Sequence, residues 1–293
     1  MRQIRKLYLQ NGAGERWGLN GENGIYASGL TGFGFSMNRS FADLNHGFFL
    51  PVSAETEPQH PIPFTLTFTK NPYQTYRHFV DWLSASAVVT LVYRPFGTAE
   101  FFRDVVVNFV QKNELSKVGW LEIPCSFLCL APWYLPAPTV LSLEGGNNEE
   151  RKRYTYRYSP DLRYGPDSTG ALSGTVAASG HLPAALEISY CGAIVNPSIR
   201  LTGDVSGKTY GICSVDTTLE ASDTLKFSAR YERSFVSKVT ASGAETDLLD
   251  ELELSTNPFF RVPVDEPCTL SIEADSVVSG KAQVLIYYYF RSV

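Results

Sequence analysis

The sequence predicts a mainly β protein in two parts: an α+β N-terminal domain with one helix, and a C-terminal antiparallel β-sandwich. Three observations predict it. The 293 residues include 18 Phe, 16 Tyr and 4 Trp but only 2 Met, with 23 Gly and 17 Pro, a mixture that favours strands and turns over helices. Strict alternation of apolar and polar residues recurs along the chain, the pattern of an antiparallel sheet with one buried and one wet face. A single prominent stretch has helical spacing instead.

Taken in order, Phe64, Leu66 and Phe68 alternate with Thr65, Thr67 and Thr69. The spacing then predicts a helix over about 71–85. Asn71 suits the N-cap and Pro72 the first helical position, while Tyr73, Tyr76, Phe79, Val80 and Leu83 fall three and four apart as one apolar stripe. The Val-rich run from Ala87 to Tyr93 reads as a strand, and Leu121, Ile123, Cys125, Phe127 and Cys129 form one face of a long one. Pro132, Pro136 and Pro138 interrupt both helix and ladder hydrogen bonding. With Trp133 and Tyr134 between them they are the expected interdomain hinge, which places the domains at 1–135 and 139–293. Beyond it, Leu186, Ile188 and Tyr190, then Ile199 and Leu201, then Leu225, Phe227, Ala229 and Tyr231, then Leu270 and Ile272 repeat the two-residue period. A second short helix is expected from Asp247 to Leu252. The last strand carries Val284, Ile286, Tyr288 and Phe290 on one face and Leu285, Tyr287 and Tyr289 on the other. That implies burial on both sides, or a face offered to a partner.

One stretch fits neither period. From Ser36 to Pro61 the chain holds Phe41, Phe48, Phe49 and Leu50 ahead of a proline-rich return. A loop of that length without internal structure is uncommon and usually functional, and a soluble monomer does not leave such a cluster exposed. The four residues are therefore expected to form an arm at a subunit interface; the alternative is a loop folded back on its own domain.

Charge and cysteine usage exclude several classes. The net charge is −5 and the pI about 5.5. Up to residue 135 there are 11 Lys and Arg against 10 Asp and Glu; beyond it there are 14 against 20. Neither part has the basic excess of a nucleic-acid binder. The run from Arg151 to Tyr158 mixes cations and aromatics as a single-strand binder would, but it also fits a strand with Tyr inward and Arg outward, next to Glu149 and Glu150. No segment reaches the roughly 18 apolar residues of a membrane helix, and no apolar run follows the basic Arg2, Arg5 and Lys6 as in a signal peptide. Cys125, Cys129, Cys191, Cys213 and Cys268 are odd in number and scattered, which reads as reduced thiols.

No set of catalytic residues stands out. His46, His60, His78 and His181 have no His or Cys at zinc-ligand spacing, and no nucleophile elbow, phosphate loop or His-Glu-x-x-His occurs. Gly12 and Gly14, and Gly32 and Gly34, begin a Gly-x-Gly pattern that lacks its third glycine, so they read as turns. Glu55 and Glu57 lie in the proline-rich stretch and read as solvated charges. No catalytic, metal or cofactor site is expected.

Several motifs together resemble a known family. The opening Arg5-Lys6-Leu7-Tyr8-Leu9-Gln10-Asn11, followed by Glu15-Arg16 and Leu19, is similar to the start of siphophage distal tail proteins. So are Gly32-Phe33-Gly34-Phe35-Ser36 with Gly47-Phe48-Phe49, Tyr73-Gln74-Thr75-Tyr76 with Phe79-Val80-Asp81-Trp82, Leu91-Val92-Tyr93-Arg94-Pro95-Phe96-Gly97, and Ala131-Pro132-Trp133-Tyr134. In the second part, Asn257-Pro258-Phe259-Phe260-Arg261-Val262-Pro263 and the closing Tyr287-Tyr288-Tyr289-Phe290-Arg291-Ser292-Val293 also resemble it. The resemblance implies a structural, non-enzymatic component of a phage or prophage tail tip, assembled in the bacterial host cytoplasm. It implies a homohexameric ring built by the N-terminal domain, with a long arm reaching the neighbour, and a galectin-like C-terminal sandwich usually lacking a working sugar site. The implied partners are the tail tube protein, a tail-tip protein and a receptor-binding protein, with the genome passing through the lumen and no sequence-specific nucleic-acid contact. Two other classes compete: a carbohydrate-binding module using Tyr and Trp as stacking platforms, and a sandwich-fold glycan hydrolase, which needs a pair of carboxylates that the sequence does not supply.

Overall fold

The structure is a computed structural model that describes residues 5–31, 33, 41–43, 49–51, 61–95, 99–110, 112–144, 172–253, 257–275 and 280–293. The chain forms two units, Met1–Pro136 with Tyr289–Val293, and Ala137–Tyr288. The last five residues, assigned by their sequence position to the second domain, thus belong to the first.

The first unit contains β1 (Lys6–Gln10), β2 (Arg16–Gly18), β3 (Ile25–Ser28), β4 (Phe41–Asp43), β5 (Phe49–Pro51), β6 (Pro61–Phe68), α1 (Pro72–Ser84), β7 (Val89–Arg94), β8 (Phe101–Val110), β9 (Leu121–Cys129) and β10 (Trp133–Tyr134). Strand β8 has three partners, β7, β9 and, at Phe102, β10. It pairs antiparallel with β7 through Phe101 to Val105 and with β9 through Val105 to Val110, and its register shifts between Val107 and Phe109. Such a bulge bends a strand and turns it from one partner to the next. The ladders run β2–β1–β7–β8 and β8–β9–β6–β3. Between them lie the alternating apolar residues of the sequence: Leu7 and Leu9, Phe64, Leu66 and Phe68, Leu91, and Leu121 to Cys129 at every second position. Phe64 and Phe127 stack with ring centroids 4.0 Å apart.

Helix α1 starts where its proline predicts, but by a different device. Asn71 takes a left-handed backbone, φ 42° and ψ 55°, and its side chain makes no capping bond. Asparagine tolerates that region, and Pro72 disfavours the right-handed one at the residue before it. The expected arm also differs from a plain loop. Within residues 36–61, β4 and β5 pair antiparallel, Phe41 with Pro51, Ala42 with Leu50 and Asp43 with Phe49. Phe48 lies outside the described residues, as do His46, His60, Glu55, Glu57 and the whole run from Arg151 to Tyr158.

The second unit contains β11 (Thr139–Glu144), β12 (Leu172–Val176), β13 (Leu182–Cys191), β14 (Ile194–Val195), β15 (Ser198–Gly203), β16 (Thr209–Ser214), β17 (Thr218–Leu219), β18 (Thr224–Ala229), β19 (Ser234–Val239), β20 (Glu245–Asp247), β21 (Cys268–Glu273) and β22 (Lys281–Phe290), whose last two residues belong to the first unit. One sheet orders its strands β11–β22–β13–β18–β19–β20 and the other β12–β21–β15–β16. One cluster holds the inner faces of both: Leu186, Ile188, Phe227, Val236, Val284 and Ile286 from the first, and Leu172, Ile199, Leu201, Leu270 and Ile272 from the second. This is a β-sandwich. The expected helix at 247–252 is one 3-10 turn, Leu249–Glu251, started by the Asp247 carboxylate accepting from the Leu249 amide at 3.0 Å.

The two-faced apolar pattern of β22 has a local cause. Ala282, Val284 and Ile286 are buried in the sandwich, and then the buried parity shifts to Tyr289. Tyr289 and Phe290 pair with Tyr134 and Trp133 of β10 in the first unit. The strand serves two cores in succession, so its apolar residues change face.

Candidate functional site

A search for chemistry comes first. His78 is exposed on α1 and His181 is exposed at the start of β13. Among the described residues no group of three or more His, Cys, Asp and Glu could hold a metal ion. Four of the five free thiols are buried, and burial pushes Cys125 and Cys213 up to about 12 and Cys268 to about 11. They are apolar core atoms, far from the thiolate a nucleophile needs. Cys191, by contrast, is exposed.

A cavity of about 600 Å³ lies in the second unit between β15, β16 and the 3-10 turn. Asp216, Asp250, Glu251, Glu253 and Asp275 line it with Asn196 and Ser198, and no cation lines it among the described residues. Its walls are tied by backbone bonds from Asp216 to Glu251 and from Glu253 to Ser214, and Asn196 donates to Asp275 at 2.9 Å. It is a dish of exposed carboxylates.

Elsewhere in this unit polar groups brace turns. The Glu266 carboxylate accepts from the amides of Val205 and Ser206, both at 2.9 Å, and from the hydroxyls of Ser206 and Tyr210. The Ser206 and Tyr210 hydroxyls, then the amides, hold its pKa down to about 2. Arg230 stacks 4.5 Å from the Tyr287 ring and pairs with Glu187, which accepts from the Tyr287 hydroxyl at 2.7 Å. That network covers the outer face of β22, where Leu285 and Tyr287 are half-buried.

The first unit presents surfaces of another kind. Of the helix stripe expected to be buried, only Phe79 is fully so, among Trp17, Phe68 and Trp82. Trp82, which the spacing omits, packs on the core together with Tyr76 and Leu83. Tyr73 is 40% exposed, and Val80 lies between two grooves. One, about 420 Å³, is lined by Tyr76, Val80, Leu83, Ser84, Ser86, Ala87, Val89, Val106 and Val107. The other, about 380 Å³, is lined by Tyr73, Tyr76, Arg77, Val80, Asp81 and Lys112. The helix therefore shows part of an apolar stripe to the outside.

The turn between β8 and β9 adds a knob that the sequence reading missed. Leu115, Val118 and Trp120 are 40, 68 and 44% exposed. They stand on an ordered turn: the Ser116 amide donates to the Trp120 carbonyl and the Gly119 amide to the Ser116 carbonyl, each at 2.8 Å, and Gly119 has φ +79°. Large apolar residues beside a turn glycine at Val118-Gly119-Trp120 were the available signal.

The proposed hinge residues do not share one role. Trp133 is fully buried, stacked 5.7 Å from Phe33, with the Arg103 guanidinium 5.6 Å from its ring. Arg103 donates from Nε to the Ala131 carbonyl at 2.8 Å, and the Tyr134 hydroxyl donates to Asp104 at 3.1 Å. Trp133 and Tyr134 are thus a paired strand of the first unit, with Pro132 before them, while the division between units follows Pro136. Of the arm residues, Phe41, Phe49 and Leu50 share the β4–β5 ladder.

Comparison with known proteins closes the description. The family model for the distal tail protein N-terminal domain matches residues 6–130. No curated protein sequence matches the chain. Among solved structures, a chain of the phage p2 baseplate in its activated conformation superposes with a TM-score of 0.62 at 14% identity, covering 99% of this chain and 100% of that one. The SPP1 Dit (gp 19.1) protein, described as a paradigm of the hub adsorption apparatus in phages infecting Gram-positive bacteria, gives a TM-score of 0.61 at 11% identity, covering 98% and 100%. Identities this low carry the fold alone; the sequence match, over residues 6–130, is to the N-terminal domain of distal tail proteins and falls within the first unit.

Proposed function

We propose that this chain is a structural subunit of a phage tail tip, that six copies close into a ring through the first unit, and that the ring joins the tail tube to the tail-tip and receptor-binding proteins. The second unit then projects from the ring as a galectin-like sandwich. The observation that carries the reading is the family match over residues 6–130, which falls on the unit whose apolar helix face, grooves and turn are left uncovered. A ring of identical subunits needs two different complementary surfaces on each copy, and the arm residues Phe41, Phe48, Phe49 and Leu50 are one such surface. Residues 132–138 would set where the two units part. The virion tail tip is the resulting location, after assembly in the host cytoplasm.

The test is the mass of the purified full chain by light scattering, with negative-stain images. A six-fold ring is the expected result. A folded monomer at every concentration reached, with millimolar or tighter affinity for simple saccharides, would favour the carbohydrate-binding module instead.

A further inference from the structure

We propose that Tyr289–Val293 are a clasp for the first unit: they close its sheet and core from beyond the sandwich, so that this unit is completed only after the whole second unit has been synthesised. The chain leaves the first unit after Pro136 and re-enters it at Tyr289. The inference concerns a single copy of the chain and holds whether or not copies associate.

Three observations carry it. The pairing of β10 depends on the segment. Its two residues meet β8 through one pair, Tyr134 with Phe102, whereas Trp133 and Tyr134 both have partners in the re-entering segment, Phe290 and Tyr289. Leaving backbone groups unpaired beside the fully buried Trp133 costs about as much as a lost hydrogen bond. The segment is also packed. Tyr289 is 1% exposed, and Phe290 meets Phe101 edge-on with ring centroids 5.3 Å apart. Phe290 and Val293 lie against the cluster that holds Trp133, Leu91 and Val105. Finally, the strand changes allegiance at this point. Val284 and Ile286 belong to the sandwich core, and Phe290 to that of the first unit.

The order of synthesis gives this arrangement its consequence. Residues 137–288 stand between Pro136 and the clasp. At about 5–20 residues per second, that is a wait of about 8–30 s. During it β10 lacks its partner strand and Trp133 part of its cover. A chain cut short within the sandwich never receives the clasp, so it presents an incomplete first unit.

The experiment compares the full chain with one lacking Tyr289–Val293 and with the full-length variant Phe290→Ala. The readout is hydrogen exchange on peptides of each unit, at matched states of association checked by light scattering. Without the segment, the slowest amides of β7, β8 and β9 are expected to exchange at least about a hundredfold faster than in the parent, the scale of losing one buried aromatic side chain. Those of β13, β15 and β18 should keep the parent's rates. Phe290→Ala should act on the same first-unit amides by about tenfold, because that ring is only partly buried. First-unit amides as slow as the parent's, or a loss shared equally by both units, would overturn the clasp. If the shortened chain fails to fold, Phe290→Ala decides: a loss confined to the first unit supports the clasp, and no loss or an equal one overturns it.

Discussion

The two units bury their apolar residues to different extents. In the sandwich, one core cluster takes residues from both sheets, and the exposed large apolar residues among those described, Val140, Val205, Tyr231, Leu249 and Val264, come from separate places along the chain. In the first unit, Leu115, Val118 and Trp120 share one turn, and α1 leaves grooves beside its apolar stripe. Scattered apolar residues are ordinary on any surface, whereas clusters mark partners. A substitution in the sandwich should therefore act on its own fold, and one on the clusters of the first unit should act on assembly.

The largest expected effect is on the sandwich core. A Cβ built on Gly211 would lie 2.5 Å from Cβ of Phe260 and 2.6 Å from the Asn257 carbonyl oxygen. Gly211→Ala must push backbone aside, and overpacking of this kind costs about 1–3 kcal/mol, with Gly211→Val beyond that range. Calorimetry of the full chain should show the sandwich transition lowered while the first unit's is kept. A single transition moving as a whole would mean that the units unfold together, and would erase the contrast.

Next is the arm. Replacing Phe48, Phe49 and Leu50 together by Ser should leave circular dichroism unchanged and abolish ring assembly at concentrations where the parent is assembled, since each apolar side chain buried is worth roughly 1.5–3 kcal/mol. Unfolding of the variant would place the cluster in its own unit's core. Assembly equal to the parent's would place ring closure elsewhere.

Sequence periodicity revealed what depends on neighbours along the chain. The alternations at Phe64 to Phe68 and Leu121 to Cys129, and the helix at Pro72–Ser84, follow from spacing alone. It did not reveal what depends on a partner strand or a distant group. Asn71 stands at the N-cap as its residue type suggests, and its carbonyl accepts from the Thr75 amide, but its left-handed backbone ahead of Pro72 leaves the side chain without a capping bond. The parity shift in β22 needs β10, some 150 residues upstream, to be seen. The Glu266 clamp needs Ser206 and Tyr210, and no local pattern links them. The knob was overlooked because three apolar residues around a glycine have no period.

A smaller effect separates the units by pH. Glu266 is held at about 2 in the fold, below its ordinary value of 4.5, mainly by the Ser206 and Tyr210 hydroxyls. A carboxylate whose native pKa is depressed contributes stability above its unfolded pKa and loses it as pH falls through the native one. Between about pH 4.5 and 2 the unfolded chain takes up the proton and the folded one does not. Sandwich stability should therefore fall across that window, and Glu266→Gln should flatten the fall. An acid limb identical in parent and variant would show that the clamp does not hold in solution.

The smallest effect concerns the thiols, and it also sharpens the comparison. Cys191 is exposed on β13, whereas Cys125 and Cys129 face the first core and Cys213 and Cys268 the second. The thiolate is the reactive form, so thiols raised by burial wait for the core to open, while Cys191 needs no opening. A mild thiol reagent should modify Cys191 first, with no change in unfolding temperature or in assembly. The order of the remaining four then ranks the two cores. If Cys125 and Cys129 react well before Cys213 and Cys268, the first unit opens more readily as an isolated subunit than the sandwich does. If the proposed ring forms through the first unit, adding protein until it assembles should then slow the first pair and leave the second unchanged. Equal slowing of both pairs would mean that assembly reaches the sandwich as well, and the division of labour between the units would have to be redrawn.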